Sequence, residues 1–328
     1  MSLPRFRRRP LLAAPLVALL GAALPGCARP EPLLRVGTNV WPGYETLYLA
    51  RELGLYDERR IRLIEMPAAT DVLRALAGGT LEAAALTLDE MLTACAAGLD
   101  LVALLVFDVS HGADALLVRP DIRHLADLAG RRIAVEQTAV GALMLDAVLR
   151  AAGLQPAEVK PVYLTASHHV QAYELGQVDA VIGFEPSVSQ LLQRGARRLY
   201  DSSRIPGTIV DVLAVPRAVL VSHAEALRRL LQGHFRVLPE LQAPSPLTLQ
   251  RVAARLQIEP DEVRQSLKAL RLPDLAENRH WLGGDTPQLQ HSARHLYDIM
   301  QAARMLAGPL ALERLCDAGW LPAAGAAA

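Results

Sequence analysis

Residues 38–58 read TNVWPGYETLYLARELGLYDE. The stretch leaves an apolar strand, breaks at Pro42-Gly43 and resumes as a helix. It gathers Trp41, Tyr44 and Tyr48 in a chain whose aromatic content is only 4 %. A strand that turns through glycine into a helix is the opening unit of an α/β protein. The turn, Asn39 to Tyr44, then lies beyond the carboxyl end of a strand, where ligands sit in open α/β sheets. Gly43 permits close backbone approach, and the first free N–H groups of the helix can hold a ligand oxygen. Trp41 and Tyr44 offer ring faces for stacking or for a cation. The competing reading packs the rings beneath the helix, and Tyr48, one turn beyond Tyr44, is assigned to core or surface.

Working outward, the strand–helix alternation continues. Strands are expected at Leu33–Thr38, Ile61–Met66, Ala83–Leu86, Leu101–Phe107 and Ala115–Val118, with helices at Tyr44–Leu53, Thr70–Ala77 and Asp89–Ala97 between them. After Pro120 a second series follows: strands Arg132–Glu136, Val159–Leu164, Asp179–Phe184, Arg198–Asp201 and Val210–Val215, and helices Gly141–Ala152, His169–Leu175 and Ser187–Gln193. Beyond Pro216 the pattern is helical, at Ala224–Leu241, Leu247–Leu256, Asp261–Leu270 and Pro287–Met305. The second series is bracketed by Ala115–Val118 and Val210–Val215, each followed by proline. Two lobes joined by two crossing strands make a hinge that can close on a ligand, although one larger sheet would give a similar string of elements.

The chain has 328 residues, 52 % hydrophobic and 21 % charged, with formal net charge zero. That excludes a disordered chain and argues against a nucleic-acid binder, which needs a basic face. Near the N-terminus, Arg5, Arg7, Arg8 and Arg9 precede an apolar run from Leu11 to Leu24, which ends at Leu24-Pro25-Gly26-Cys27. A basic, then apolar, then small-residue order reads as an export signal, and the cysteine at its end resembles a bacterial lipobox. By that resemblance residues 1–27 are a signal peptide and Cys27 carries lipid. The other reading is a signal-anchor helix with an incidental cysteine. Cys95 and Cys316 stand far apart, either as a disulfide or as two separate thiols.

Further candidate site residues fall at strand ends. Asp108 and Ser110 lie in DVSHGAD, read as a polar loop in which Asp114 anchors the chain; their side chains face a ligand or cap the turn. Thr138, in EQTAVG, is an N-cap or a ligand contact. Glu185 follows the strand DAVIGF, and Asp211 lies on the return crossing; each is read as structural or ligand-facing. Asp108, Glu136, Glu185 and Asp211 are all acidic and these turns contain no Lys or Arg, so a cationic, zwitterionic or nitrogen-rich solute is expected over a simple anion.

Four blocks carry a family resemblance: RVGTNVWPGY with LYLARELGLYDE, LADLAGRRIAVEQTAVGALMLDAVLRAAGL (residues 125–154), GQVDAVIGFEP (176–186) and GTIVDVLAV (207–215). Together they resemble type II periplasmic solute-binding proteins of the nitrate/sulfonate/taurine and NMT1/THI5-like group. The resemblance implies an α/β, two-lobed periplasmic binding protein type II fold with two hinge crossings and a helical C-terminal part. Its first lobe would comprise residues 28–118 and 214–328, and its second 119–213. It also implies a small-molecule solute as ligand and an ABC permease and ATPase as partners, with the membrane reached through the lipid anchor. A monomer with no cofactor, metal, nucleic acid or catalytic residue is expected. The implied ligand site is Asn39, Trp41, Gly43, Tyr44, Asp108, Ser110, Thr138, Glu185 and Asp211, the resemblance favouring Ser110 in the cleft. The alternatives are a sensory lipoprotein, a thiamine-pyrimidine pathway enzyme, and, for the ligand, a sulfonate, taurine or nitrate.

Overall fold

The computed structural model describes residues 32–306 and 308–323; the expected signal peptide and Cys27 lie outside them. The first sheet forms around its longest strand, β4 (Leu101–Ser110), which is buried along its whole length. Short, continuously apolar strands suit a sheet covered on both faces. Its partners are β1 (Leu34–Thr38), β2 (Ile61–Glu65), β3 (Ala83–Thr87), β10 (Val210–Pro216) and β11 (Leu270–Arg271). The order is β11-β4-β10-β3-β1-β2, with β1 parallel to β2 and β3, and β10 antiparallel to β3 and β4. The second sheet contains β5 (Asp114–Val118), β6 (Arg132–Val135), β7 (Lys160–Tyr163), β8 (Ala180–Phe184) and β9 (Arg197–Asp201), in the order β7-β6-β8-β5-β9.

The interspersed helices are α1 (Glu45–Glu52), α2 (Ala69–Ala77), α3 (Leu88–Ala96), α4 (Ala139–Ala152), α5 (Ala166–Glu174) and α6 (Ser187–Gln193). Local chemistry sets their ends. Thr138 Oγ1 accepts the Gly141 N–H at 3.2 Å to open α4, and Gly153, at φ +69°, closes it in the left-handed conformation that glycine adopts at little cost. The helical C-terminal part is α7 (Ala224–Gln242), α8 (Pro246–Leu256), α9 (Pro260–Lys268), α10 (Leu275–Leu282) and α11 (Gln288–Ala302). α10 is absent from the sequence reading. Asp274 accepts the Glu277 N–H at 2.8 Å while Glu277 reaches back to the Asp274 N–H, a capping box the sequence does carry.

The lobe boundaries differ from expectation. Ala115–Val118 was expected to cross between lobes, but β5 lies inside the second sheet, between β8 and β9. A strand buried at every residue needs hydrogen-bonding neighbours on both edges, and only that sheet supplies them. The chain therefore crosses at 111–113 and returns at 202–209, so the second lobe runs from 114 to 201 instead of 119 to 213. The two crossings are tied together. Ser110 Oγ and Ser202 Oγ lie 2.7 Å apart, the Gly112 N–H donates to Ser202 Oγ at 2.7 Å, and Arg198 donates to the Gly112 carbonyl at 2.8 Å. Gly112 sits at φ +111°, which disfavours any side chain there.

Candidate functional site

The turns after β1, β2 and β3 in the first sheet face those after β6, β7 and β8 in the second. Between them lies a cavity of about 230 Å³ lined by the starts of α1 to α6. Asn39, Trp41, Tyr44, Ala68, Thr87 and Glu90 line it from the first sheet, and Asp114, Glu136, Thr138, Ser167, Phe184 and Ser187 from the second. Trp41 meets Phe184 edge-to-face across the gap, with ring centroids 5.8 Å apart and planes at 76°.

Of the residues expected at the site, Asn39, Trp41, Tyr44 and Thr138 line this cavity. Trp41 is only 5 % exposed, so it serves cleft and core together. Thr138 likewise lines the cavity while capping α4. The others lie elsewhere, each for a local reason. Asp108 and Ser110 belong to β4 and not to a loop, because the strand continues past Phe107 by pairing with β10 and β11. Ser110 is held at the crossing by Ser202. Asp108 lies beneath the cavity wall and accepts the Trp41 Nε1–H at 3.0 Å. Gly43 does not line the cavity: a Cβ there would stand 1.8 Å from Asp108 Oδ2, so the missing side chain makes room for that carboxyl group. Asp211, opposite Asp108 on β10, accepts a hydrogen bond from the Tyr44 hydroxyl. Glu185 turns away and accepts both the Ser189 N–H and the Ser189 hydroxyl at 3.0 Å. It borders a separate crevice with His111, Gln193, Glu262 and Lys268. Tyr48 is buried under the Arg255 guanidinium, 3.7 Å from the ring centroid. Cys95 and Cys316 are free thiols.

Glu90, Asp114 and Phe184 are among the lining residues the sequence did not assign to the site. Glu90 sits in the first turn of α3, where an acidic residue is ordinary, and its carboxylate accepts the Thr87 N–H at 2.9 Å. Asp114 begins β5 and is 3 % exposed. Together with Asp89, Asp108 and Asp211 they form a buried acidic layer. Asp89 Oδ2, Asp108 Oδ1, Asp114 Oδ2 and Asp211 Oδ2 have no hydrogen-bond partner. Desolvation pushes Asp114 up to about 7 and raises Asp89, Glu90, Asp108, Glu136 and Asp211 as well; mutual repulsion adds to Glu90 and Asp211. Among the described residues no Lys, Arg or His lines the cavity. Burial therefore favours retained protons in this layer near neutral pH, and each group that does ionise gives the wall a negative sign. Among the described residues no cluster has the make-up of a metal site, and no helix is long and apolar enough to cross a membrane.

The sequence profile of the family described as "NMT1/THI5 like" matches residues 41–236. The chain belongs to the NMT1/THI5-like family. The matched span opens at Trp41 and takes in every lining residue named above except Asn39. An aliphatic sulfonates-binding protein of Escherichia coli (strain K12) is 33 % identical over 156 residues, which is 47 % of this chain and 49 % of that protein. The chain spans about half the length of the curated relatives it matches. Among solved structures, the alkanesulfonate-binding protein SsuA of Xanthomonas axonopodis pv. citri superposes with a TM-score of 0.71 at 22 % identity, covering 87 % of this chain and 98 % of that one. The desulfurization enzyme DSZB superposes with a TM-score of 0.61 at 18 % identity, covering 88 % and 96 %. At these identities the likeness establishes the fold, the two-lobed α/β architecture expected from the sequence, and that fold hosts binding proteins and an enzyme alike.

Proposed function

We propose that this NMT1/THI5-like chain is the extracytoplasmic solute-binding component of an ABC importer, held at the membrane through lipidated Cys27, and that its solute is a small cationic or zwitterionic nitrogen compound. The observation that carries the ligand class is the cavity wall: Glu90, Asp114 and Glu136 with Trp41, Tyr44 and Phe184, and, among the described residues, no basic side chain. A buried anion needs a guanidinium, an ammonium or free helix N–H groups. Here the protein's own carboxylates already take up N–H groups at the starts of three helices: Glu90 at α3, Glu136 at α5 (3.5 Å from the Ala166 nitrogen) and Glu185 at α6. A positive nitrogen stacked between rings and facing carboxylates is the complementary guest.

A sulfonate is the second reading. It is favoured by the name of the Escherichia coli relative and by the starts of α2 and α4, whose first-turn N–H groups border the same cavity. A thermal-denaturation screen of the purified full chain decides between them. One arm contains aminopyrimidines, thiamine, choline and amino acids; the other contains alkyl sulfonates without an amine, and nitrate. A solute at one hundred times its Kd adds about 2.7 kcal/mol to stability, a readable rise in melting temperature. The nitrogen arm is expected to respond. A response confined to the sulfonates retains the receptor role and overturns the ligand class. Metabolic labelling with a radioactive fatty acid, lost in Cys27→Ser, tests the anchor.

A further inference from the structure

We propose that the inner end of the cleft is a proton-exchanging cation subsite, in which Glu90 and Asp114 receive the charged nitrogen of the solute while Asp108 and Asp211 behind them hold the compensating protons. The inference rests on the receptor reading above and narrows its ligand to compounds with a localised positive nitrogen.

Glu90 and Asp114 approach from different sheets, one from the first turn of α3 and one from the first residue of β5, and both line the cavity. Asp114 is nearly fully buried, its Oδ2 has no hydrogen-bond partner, and the nearby Ser110 hydroxyl only partly offsets the burial of its carboxyl group. Directly behind, Asp108 and Asp211 occupy paired positions on β4 and β10 and touch the cavity only through the rings they hold, Trp41 and Tyr44. The other titratable groups around this layer are Asp89 on α3, Glu136 after β6 and Glu185 after β8, all acidic. His234 of α7 lies behind Phe107, bonded to Thr46, and burial keeps it neutral. Arg198 acts on Glu185, at the far side of the β8–α6 turn. Among the described residues no cation lines the cavity to offset the inner four carboxyl groups.

Several unpaired carboxylates cannot stay ionised together in a dry site, so the empty subsite retains protons. A cation entering beside Glu90 and Asp114 supplies the missing positive charge. These two then lose a proton to solvent, and the solute's nitrogen takes its place. Binding therefore tightens as pH rises, by about ten-fold between pH 6 and 8 for each proton released by a group titrating near 7. A neutral molecule of the same shape gains nothing from this exchange.

The test uses acetamidinium and its neutral isostere acetamide, with the purified full chain followed by intrinsic tryptophan fluorescence on heating and ionic strength matched by sodium chloride. Acetamidinium is expected to raise the melting temperature and to bind about ten-fold more tightly at pH 8 than at pH 6, with acetamide silent at both. Glu90→Gln and Asp114→Asn should each abolish the acetamidinium response while folding as well as the parent, because each replaces a protonated acid by a neutral group of the same shape. Calorimetry in phosphate and in Tris should differ by the ionisation heat of the released proton. Equal responses to acetamide, a response retained in both variants, no response to acetamidinium, or no dependence on pH would each overturn the subsite. Methanesulfonate and ethanesulfonate, run in parallel, separate the two levels. A response to them alone refutes the subsite and leaves the receptor reading in place, whereas failure of every solute in the wider screen removes both.

Discussion

Replacing Gly43 by alanine tests the packing on which the acidic layer depends. The new methyl group would lie 1.8 Å from Asp108 Oδ2 and 2.8 Å from Trp41 Nε1, far inside contact distance. Either the carboxyl group or the indole must move, and both are buried. Overpacking of this kind costs about 1–3 kcal/mol, and breaking the Trp41–Asp108 hydrogen bond adds roughly 1 kcal/mol or more. With about 2.1 cal/mol/K per residue over roughly 300 residues, a loss of about 3 kcal/mol lowers the melting temperature by about 5 °C. The same substitution made in an Asp108→Ala background meets no carboxyl group, and the indole can slide into the vacated space. There Gly43→Ala should be close to neutral, or stabilising by about 0.5 kcal/mol through the reduced freedom of the unfolded chain. In an Asp108→Asn background, where the bulk remains, the full loss should persist. Denaturant titrations of the parent, the single variants and the double variants give the coupling energy. If Gly43→Ala costs as much beside alanine as beside aspartate, the glycine does not serve to make room for Asp108.

Stability should fall as pH rises from about 6.5 to about 8. The folded chain keeps protons on Glu90, Asp114 and Asp211 that the unfolded chain has already released, so unfolding grows more favourable as pH climbs through that window. Between about pH 4 and 6.5 the same carboxyl effect already operates, but His169 and His234, lowered to about 4 and about 3 by burial, act in the opposite sense and offset part of it, because only the unfolded chain takes up their protons. Melting curves should therefore decline most steeply above about pH 6.5, where that offset has ended, and Glu90→Gln should flatten this alkaline limb; a flat or rising limb in the parent refutes the burial argument. Arg255→Met removes the guanidinium that Glu45, 1 % exposed, accepts from at 2.6 and 2.8 Å, a loss of about 3 kcal/mol. Glu45, raised to about 7 by burial, can protonate in the variant, so chemical denaturation should show a larger loss at pH 8 than at pH 6, with Glu45→Gln/Arg255→Met recovering most of it. Of the three tryptophans only Trp41 lines the cavity, so Trp41→Phe should abolish any solute-dependent change in fluorescence, and a change that persists would place the solute elsewhere.

The alternation of elements was legible because strands covered on both faces are short apolar runs, and Leu101–Phe107 announces the apolar part of β4. The turn at Asn39–Tyr44 was legible for the same reason: a strand end, a Pro-Gly break and an apolar helix are local features. What escaped the sequence is pairing. Nothing local distinguishes a β5 that crosses between sheets from one that joins the second sheet, because its partners β8 and β9 lie far along the chain. Asp108 and Asp211 were recognised as acidic and near strand ends, yet their place behind the rings depends on the β4–β10 register. Glu90 was silent because an acid in the first turn of a helix needs no further explanation. Phe184 was silent because an aromatic residue ending a strand reads as core.

The acidic layer is also divided by the cleft. Glu90, Asp108 and Asp211 ride on the first sheet, and Asp114 and Glu136 on the second. When these groups are ionised, two like-signed surfaces face each other across the gap, and Coulomb repulsion works as a spring that holds the lobes apart. Protons relax that spring without distinguishing one solute from another. A cation lodged between the surfaces turns it into an attraction that draws on both sheets at once. On the cation reading proposed above, closure above neutral pH requires cargo of the right sign, and the shape of the molecule becomes a report on the charge it carries.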